Sequence, residues 1–387
     1  MKFKVDKKEF VEALLKIKGI VPLKKSTTNN DPKVFLDLEG NKLHIMGTDS
    51  IITFRVSLEV IGTEDGTIVV LFEDLLDTVN DIPDTASIEL STDLKLRLKL
   101  KAEGEIHNIR GKDINNQLAP SLPYPTTEFT MLNNSLKKFF DQLVFAVGND
   151  SLRPEYWGVL FHIKNQELIN VSTDGHRMVK IISKGTVFPK GEEKYVVPSK
   201  VLKYFKKFIG DSVTISFDKT KVRFSSDNAI MYSKLILPKF RCDSVYPDYD
   251  SVIPTDCEKK VGVNRKEILS KLKELNSRTK ITEDGYKVSN AYDFLLQKNS
   301  LKISVLGIKT LSDTKILASC DMSCKYDGED IEFYFNQNYT RDILNHLKSE
   351  EILIEFNEPE RPFVFKEIDV DDNKDVLMLL APCRGDF

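Results

Sequence analysis

Three times along the chain, a stretch with apolar residues at helical spacing gives way to short runs whose apolar residues flank polar turns. The helical stretches are KKEFVEALLKIK (7–18), NSLKKFFDQLVFAV (134–147) and NRKEILSKLKELN (264–276). In the last, Ile268, Leu269, Leu272 and Leu275 recur at the period of one helix face. Two of the three open at an asparagine, a favoured N-cap. The runs that follow, FLDLEGNKLHIMGTDS (35–50), LFHIKNQELINVSTDG (160–175) and FLLQKNSLKISVLG (294–307), each predict two strands about a polar turn. IVVLFEDLLDTVNDIPDTASIEL (68–90), KYVVPSKVLKYFKKFIGDSVTISF (194–217) and IEFYFNQNYTRDILNHLKSEEILIEF (331–356) then enter a second helix from a β-rich run and leave through a strand. The predicted order is helix, two strands, a strand leading into a second helix, and two closing strands.

One such hairpin recurs by chance; the same order of elements three times marks an internal repeat. Loop residues gather at the joints, in LAPSLPYPTTEF (118–129) and YPDYDSVIPTDCEKK (246–260). Neither joint is a long linker, so the repeats are expected to pack edge to edge. The fold class that follows is α+β, with three similar domains (1–125, 126–255 and 256–387), each carrying two helices on antiparallel sheet.

Charge changes this picture because of where it sits. The net charge is only −3 over 387 residues. Helix by helix, 7–18 carries +2, 72–81 carries −4, 134–147 carries +1, 199–209 carries +4, 264–276 carries +2 and 336–348 carries +1. The six sum to +6, which leaves −9 on the rest of the chain. Five basic helices in an acidic protein point to helices facing a polyanion. In SKVLKYFKKFI (199–209), Val201, Leu202, Phe205, Phe208 and Ile209 form the apolar stripe, and Lys200, Lys203 and Lys207 lie opposite. A lysine face on a single helix is ordinary solvation. No base-stacking or groove-reading motif appears, so contact with nucleic acid should follow the phosphate backbone and ignore sequence.

Composition is that of an ordinary soluble protein, with 41% hydrophobic and 30% charged residues. There is no run long enough to span a membrane, and MKFKVDKKEF does not read as a signal peptide. Five scattered cysteines, Cys320 and Cys324 the nearest to a pair, suit reduced thiols in the cytoplasm better than zinc or disulfides. No metal, cofactor or catalytic residue is assigned. The one stretch that resembles chemistry is VSTDGHRM (171–178), where Asp174 and His176 form an Asp–x–His pair. A hydrolase would use them as general base and orienter, but no nucleophile motif accompanies them. The alternative is an Asx turn closing a strand, with Asp174 bonding local backbone N–H groups. A scaffold of repeats that binds only proteins is the third reading.

STDGHRM (172–178), VYPDYDSVIP (245–254), LLAPCR (379–384), NDSLRPEYWGVLF (149–161) and FYFNQNYTRDILNHL (333–347) resemble the bacterial DNA polymerase III β subunit family, the sliding clamps. The resemblance runs nearly the full chain. It implies a head-to-tail homodimer whose six domains close a ring around duplex DNA, lined by twelve helices. Implied partners are DNA, a replicative polymerase, a clamp loader and other clamp-motif proteins, with no membrane. The residues it sets towards DNA are Lys24, Lys25, Lys137, Lys138, Arg153, Lys200, Lys203, Lys207, Lys266, Lys273 and Arg341. It also implies a hydrophobic slot for short partner peptides, built from Tyr156, Thr173, Gly175, His176, Arg177, Met178, Pro247, Val252, Tyr339, Pro362, Leu379, Ala381, Pro382, Cys383 and Arg384. Arg177 and Arg384 are expected to hold polar groups at its rim. Ser251, Tyr156, Ala381 and Cys383 depart from the usual family residues, and Gly385-Asp386-Phe387 extends past the usual end.

Overall fold

A computed structural model describes residues 1–21, 32–49, 51–84, 87–113, 124–150, 152–183, 188–207, 210–237, 246–279, 286–310, 313–368 and 374–383. Lys24, Lys25, Phe208, Ile209, Cys242, Arg384 and the 385–387 tail lie outside the described residues. Six α-helices occur among those described: α1 (Lys7–Ile17), α2 (Phe72–Asn80), α3 (Asn133–Val144), α4 (Ser199–Tyr204), α5 (Arg265–Arg278) and α6 (Gln337–His346).

The repeat is present but longer than its sequence pattern suggests. A strand precedes the first helix each time, at Lys2–Asp6, Thr127–Leu132 and Lys259–Asn264. A third strand joins the predicted pair, at Ile52–Glu59, Arg177–Ser183 and Asp313–Ser323, and three strands rather than two close each repeat. The opening strands are short and run straight into the helix, so their alternation merges with the helical pattern. In KFKVD only Phe3 and Val5 are buried, and Asp6 is already the α1 cap, accepting from the N–H groups of Lys8 (2.9 Å) and Glu9 (3.2 Å). Asn264 caps α5 in the same way, accepting from the Glu267 N–H at 3.0 Å.

The chain folds into two compact units, Met1–Lys137 with Lys200–Leu235, and Lys138–Ser199 with Ile236–Phe387. The first holds a continuous 13-stranded sheet. In it, Ala229–Lys234 pairs antiparallel with Ile52–Glu59, so strands of the first and second repeats join at their edges. α1 buries Phe10, Ala13, Leu14 and Ile17, the i, i+3, i+4 and i+7 face. Gly47 lets it approach the sheet: a Cβ there would lie 2.4 Å from the Ile17 side chain.

The second unit holds an eight-stranded and a four-stranded sheet. Here Arg177–Ser183 pairs with Lys374–Leu380, from Arg177 against Leu380 to Ser183 against Lys374. The second and third repeats therefore join edge to edge as well, as the short joints predict. Phenylalanines pack the third repeat, with Phe356 stacked on Phe363 at 4.2 Å and Phe333 tilted against Phe363 at 4.7 Å between ring centres.

On the other face of the four-stranded sheet, Asp293 has a buried carboxylate oxygen with no hydrogen-bond partner. Burial, and then Glu332, push its pKa up to about 6. A raised carboxylate pKa means that the folded chain holds a proton the unfolded chain releases, so this group's penalty is present near neutral pH and fades as pH falls through about 6. Asp293→Asn should therefore raise stability by about 1 kcal/mol near neutral pH, after discounting for partial exposure, and by clearly less near pH 5. Thermal melts at the two pH values check this; an equal gain at both would contradict it.

Candidate functional site

Glu167–Thr173 and Arg177–Ser183 form a hairpin whose last pair is Thr173 with Met178. The turn between them is the Asx turn that the sequence suggests. One oxygen of Asp174 accepts from the N–H groups of His176 and Arg177, each at 3.0 Å. Thr173 Oγ1 accepts from the Gly175 N–H at 3.0 Å and donates to the Arg177 carbonyl at 2.7 Å. Gly175 sits at φ +90°, which favours glycine. Asp174 thus bonds the His176 backbone, while the His176 ring stacks on Tyr339 with centroids 5.9 Å apart. That is not the arrangement of a base and its orienter.

Arg177 differs from expectation. Instead of lining a rim, its guanidinium is buried and boxed on every side. It donates to the second Asp174 oxygen (3.0 Å), to Asp342 Oδ2 (2.5 Å) and to the Phe145 carbonyl (2.9 Å). It also lies 4.4 Å over the Tyr339 ring and 5.2 Å over Phe145. A planar fork with five donors fits such a box, where an ammonium would not. Arg177 therefore positions the turn and Tyr339, with Nε and both Nη atoms each committed to an acceptor. Phe145 and Asp342 are the residues that sequence reasoning missed. Asp342 was visible as the aspartate of YTRDIL; Phe145 gave no signal.

Around this box lie most of the other slot residues. Met178 and Leu379 are paired neighbours, buried in a cluster with Leu160, Val171, Tyr246 and Tyr249 that forms an apolar floor. Tyr156, on the 3-10 turn Pro154–Trp157, meets Tyr246 edge-on at 6.5 Å. A Cβ on Gly175 would lie 3.6 Å from the Tyr156 ring. The Ala381 N–H donates to the His176 carbonyl at 2.8 Å, and the Cys383 N–H to the Tyr334 carbonyl at 2.8 Å, which carries Pro382 past the turn. Burial pushes the Cys383 thiol up from its ordinary pKa. Pro362 precedes Phe363, the partner of Leu380. Pro247 and Val252 sit on the segment of Tyr246 and Tyr249, with Val252 half exposed.

The basic residues divide. Lys138, Lys203 and Lys273 are exposed, Lys137 partly so, and Lys266 is exposed but pairs with Glu350 at 3.3 Å. Lys200 pairs with Asp49. Lys207 lies beyond the end of α4, in the 3-10 turn Phe205–Lys207, and so does not continue a lysine face. Its ammonium bonds the carbonyls of Leu15 (3.3 Å) and Lys18, and the Tyr204 hydroxyl bonds the Gly19 carbonyl. This caps the C-terminus of α1, where unpaired carbonyls and the helix dipole favour a cation. Arg341 turns back to the Gln337 carbonyl and Asn338 of its own helix. Arg153 lies over the Tyr156 ring at 5.6 Å, beside the slot rather than on a helix.

Several described strands end their sheets, and two open edges lie in the first and third repeats. Asp313–Ser323 ends the four-stranded sheet. Glu105–Lys112 pairs with Arg97–Ala102 on one side, but on the other only through Gly111 and Lys112. Each edge shows an exposed isoleucine, Ile316 and Ile106.

Three family models match this chain in order: the DNA polymerase III beta subunit N-terminal domain over residues 1–115, its central domain over 130–247 and its C-terminal domain over 250–381. The Beta sliding clamp of Chlamydia pneumoniae is 25% identical over 394 residues, covering 99% of both chains. That of Treponema pallidum is 25% identical over 398 residues, covering 99% of this chain and 100% of the relative. Among solved structures, the DNA polymerase III subunit beta of Pseudomonas aeruginosa superposes with a TM-score of 0.86 at 20% identity, covering 99% of this chain and 100% of that one. The Helicobacter pylori beta clamp bound to a DNA ligase peptide gives 0.84 at 19% identity, with 99% and 100% covered. With its repeat and turn matched from end to end, the chain belongs to the DNA polymerase III beta subunit family.

Proposed function

We propose that this chain acts as a sliding clamp: two copies close head to tail around duplex DNA and tether a replicative polymerase, a clamp loader and other partners through the slot beside Gly175. The observation that carries the reading is that Glu105–Lys112 in the first repeat and Asp313–Ser323 in the third, both long strands, each leave most of one edge open. Open edges of this kind are normally blunted or covered. Pairing one with the other in a second copy covers both, and doing so twice closes a dimer. Domain boundaries near 125 and 255 give such a dimer six domains. The exposed lysines Lys138, Lys203, Lys266 and Lys273 would track phosphates without reading bases. The slot's role is supported by the ligase peptide on the Helicobacter pylori relative. The clamp carries out no reaction of its own and works in the cytoplasm; no described helix is long and apolar enough to cross a membrane.

Sizing in solution tests the ring. The expected mass is about twice the 44.2 kDa of one chain. Once loaded, the protein should stay on closed circular DNA and run off when the circle is cut. A monomer at micromolar concentration, or equal retention on linear and circular DNA, would defeat the reading.

A further inference from the structure

The slot wall that carries Pro247 and Val252 belongs to no strand; its only regular element is the 3-10 turn Asp250–Val252. Side-chain bonds tie it to the sheet at Tyr246, Tyr249 and Asp250. The Tyr246 hydroxyl reaches the Val171 carbonyl at 3.5 Å, a long bond, and Asp250 meets Lys180 at 2.6 Å in the open. A further tie is short and mostly buried: the Tyr249 hydroxyl lies 2.7 Å from His162 Nδ1, and His162 Nε2 lies 2.9 Å from Glu192 Oε1. His162 is 2% exposed. A cavity of about 170 Å³, walled in part by His162, Glu192, Lys164, Lys194 and Tyr249, adjoins this bond.

We infer that Glu192, His162 and Tyr249 form a positioning relay that holds the 246–253 wall of the partner slot in place. The inference rests on the slot reading above. The carboxylate of Glu192 only accepts, so His162 Nε2 carries the proton and donates to it. His162 Nδ1 is then the acceptor, and Tyr249 donates to it. Burial raises the pKa of the Tyr249 phenol, which keeps it a donor. Burial also lowers the pKa of His162, with Glu192 partly opposing, so the neutral form that the relay needs is the resident one.

Acid acts on this arrangement in one direction. The groups facing His162 are Glu192 and Lys194 from Glu192–Pro198, Lys164 from its own strand, and Asp248 and Asp250 around Tyr249. From Arg177–Ser183, the Lys180 ammonium lies 5.2 Å over the Tyr249 ring. Because the folded-state pKa of His162 is depressed, the ordered wall loses stability as pH falls through and below the ordinary histidine range. Protonation makes Nδ1 a donor, and the Tyr249 hydroxyl must turn its proton towards another acceptor.

The test uses the full chain and a labelled peptide carrying a glutamine and a leucine–phenylalanine pair, read by fluorescence anisotropy at about pH 7.5 and about pH 5.5. Tyr249→Phe keeps the ring and removes the donor; it should weaken binding about fivefold at the higher pH. Glu192→Gln keeps an oxygen acceptor and should stay within about twofold of the wild type, whereas Glu192→Ala should not. The wild type should lose affinity on acidification, and His162→Gln should lose at least about threefold less. Both proteins carry the same His176, so the difference belongs to His162. Wild-type affinity in Tyr249→Phe, or a wild-type pH ratio in His162→Gln, overturns the relay. Hydrogen exchange of the 246–253 amides keeps it separate from the slot reading. If the wild type binds no peptide, the slot reading falls, and the relay is judged by whether Tyr249→Phe speeds that exchange; unchanged exchange overturns it.

Discussion

Replacing Arg177 by alanine is expected to lower the stability of the part of the chain around the 174–178 turn by about 3 kcal/mol, the lower end for breaking a buried ion pair. The lower end applies because its two carboxylate partners differ: Asp174 is 14% exposed at its side chain and Asp342 is 43% exposed. Removing the guanidinium strips one oxygen of Asp174 of its partner, leaves the Phe145 carbonyl without its donor, and takes the cation from between two rings. Arg177→Lys should recover less than half of the loss, since an ammonium cannot serve three acceptors from one plane. Urea unfolding followed by Trp157, the single tryptophan, reports on this neighbourhood directly, because its indole N–H bonds the Asp150 carbonyl at 2.8 Å. A loss below about 1 kcal/mol would show that Arg177 is the rim residue that the family resemblance implies.

Filling the slot should have the larger effect on function. Gly175→Trp is expected to weaken partner-peptide binding by about 100-fold or more. The peptide gains a few kcal/mol net from burying its two apolar anchors, after the cost of ordering an extended chain. An indole standing where a Cβ already meets Tyr156 and Arg153 at 3.6 Å takes the space of one anchor. Backbone strain has to be separated from filling, because Gly175 sits at φ +90° and any side chain there costs about 1–3 kcal/mol. Gly175→Ala carries the strain without the bulk. It should melt earlier yet bind peptide within about fivefold of the wild type, while both variants keep the wild-type mass in solution. Equal binding by Gly175→Trp and the wild type would remove the slot from this face.

What the sequence made legible follows from how local each interaction is. The Asx turn could be read because Asp174 bonds residues two and three positions on, and the glycine between them announces the positive φ. The Asn264 cap and the α1 face were readable for the same reason. Arg177 could not be read correctly. Its fate is decided by Asp342, 165 residues away, and a sequence shows only that an arginine follows a histidine. Lys207 fails likewise: its spacing from Lys200 suggests one helix face, but α4 ends at Tyr204 and the ammonium turns to carbonyls of α1. His162, Glu192 and Tyr249 come from two strands and a loop, and no pattern along the chain links them.

The edge pairing of neighbouring repeats has a consequence for synthesis on the ribosome. Ile52–Glu59 finds its outer partner, Ala229–Lys234, only about 170 residues later, which at ordinary elongation rates is on the order of 10–30 s. Arg177–Ser183 waits somewhat longer, for Lys374–Leu380. Through each interval the nascent chain carries a finished strand with one side open and apolar residues such as Ile52, Phe54 and Val56 ready to pair with whatever strand arrives first. Crowded polysomes, where a neighbouring copy offers that same strand, are thus the setting in which this architecture is most exposed to exchanging segments between chains.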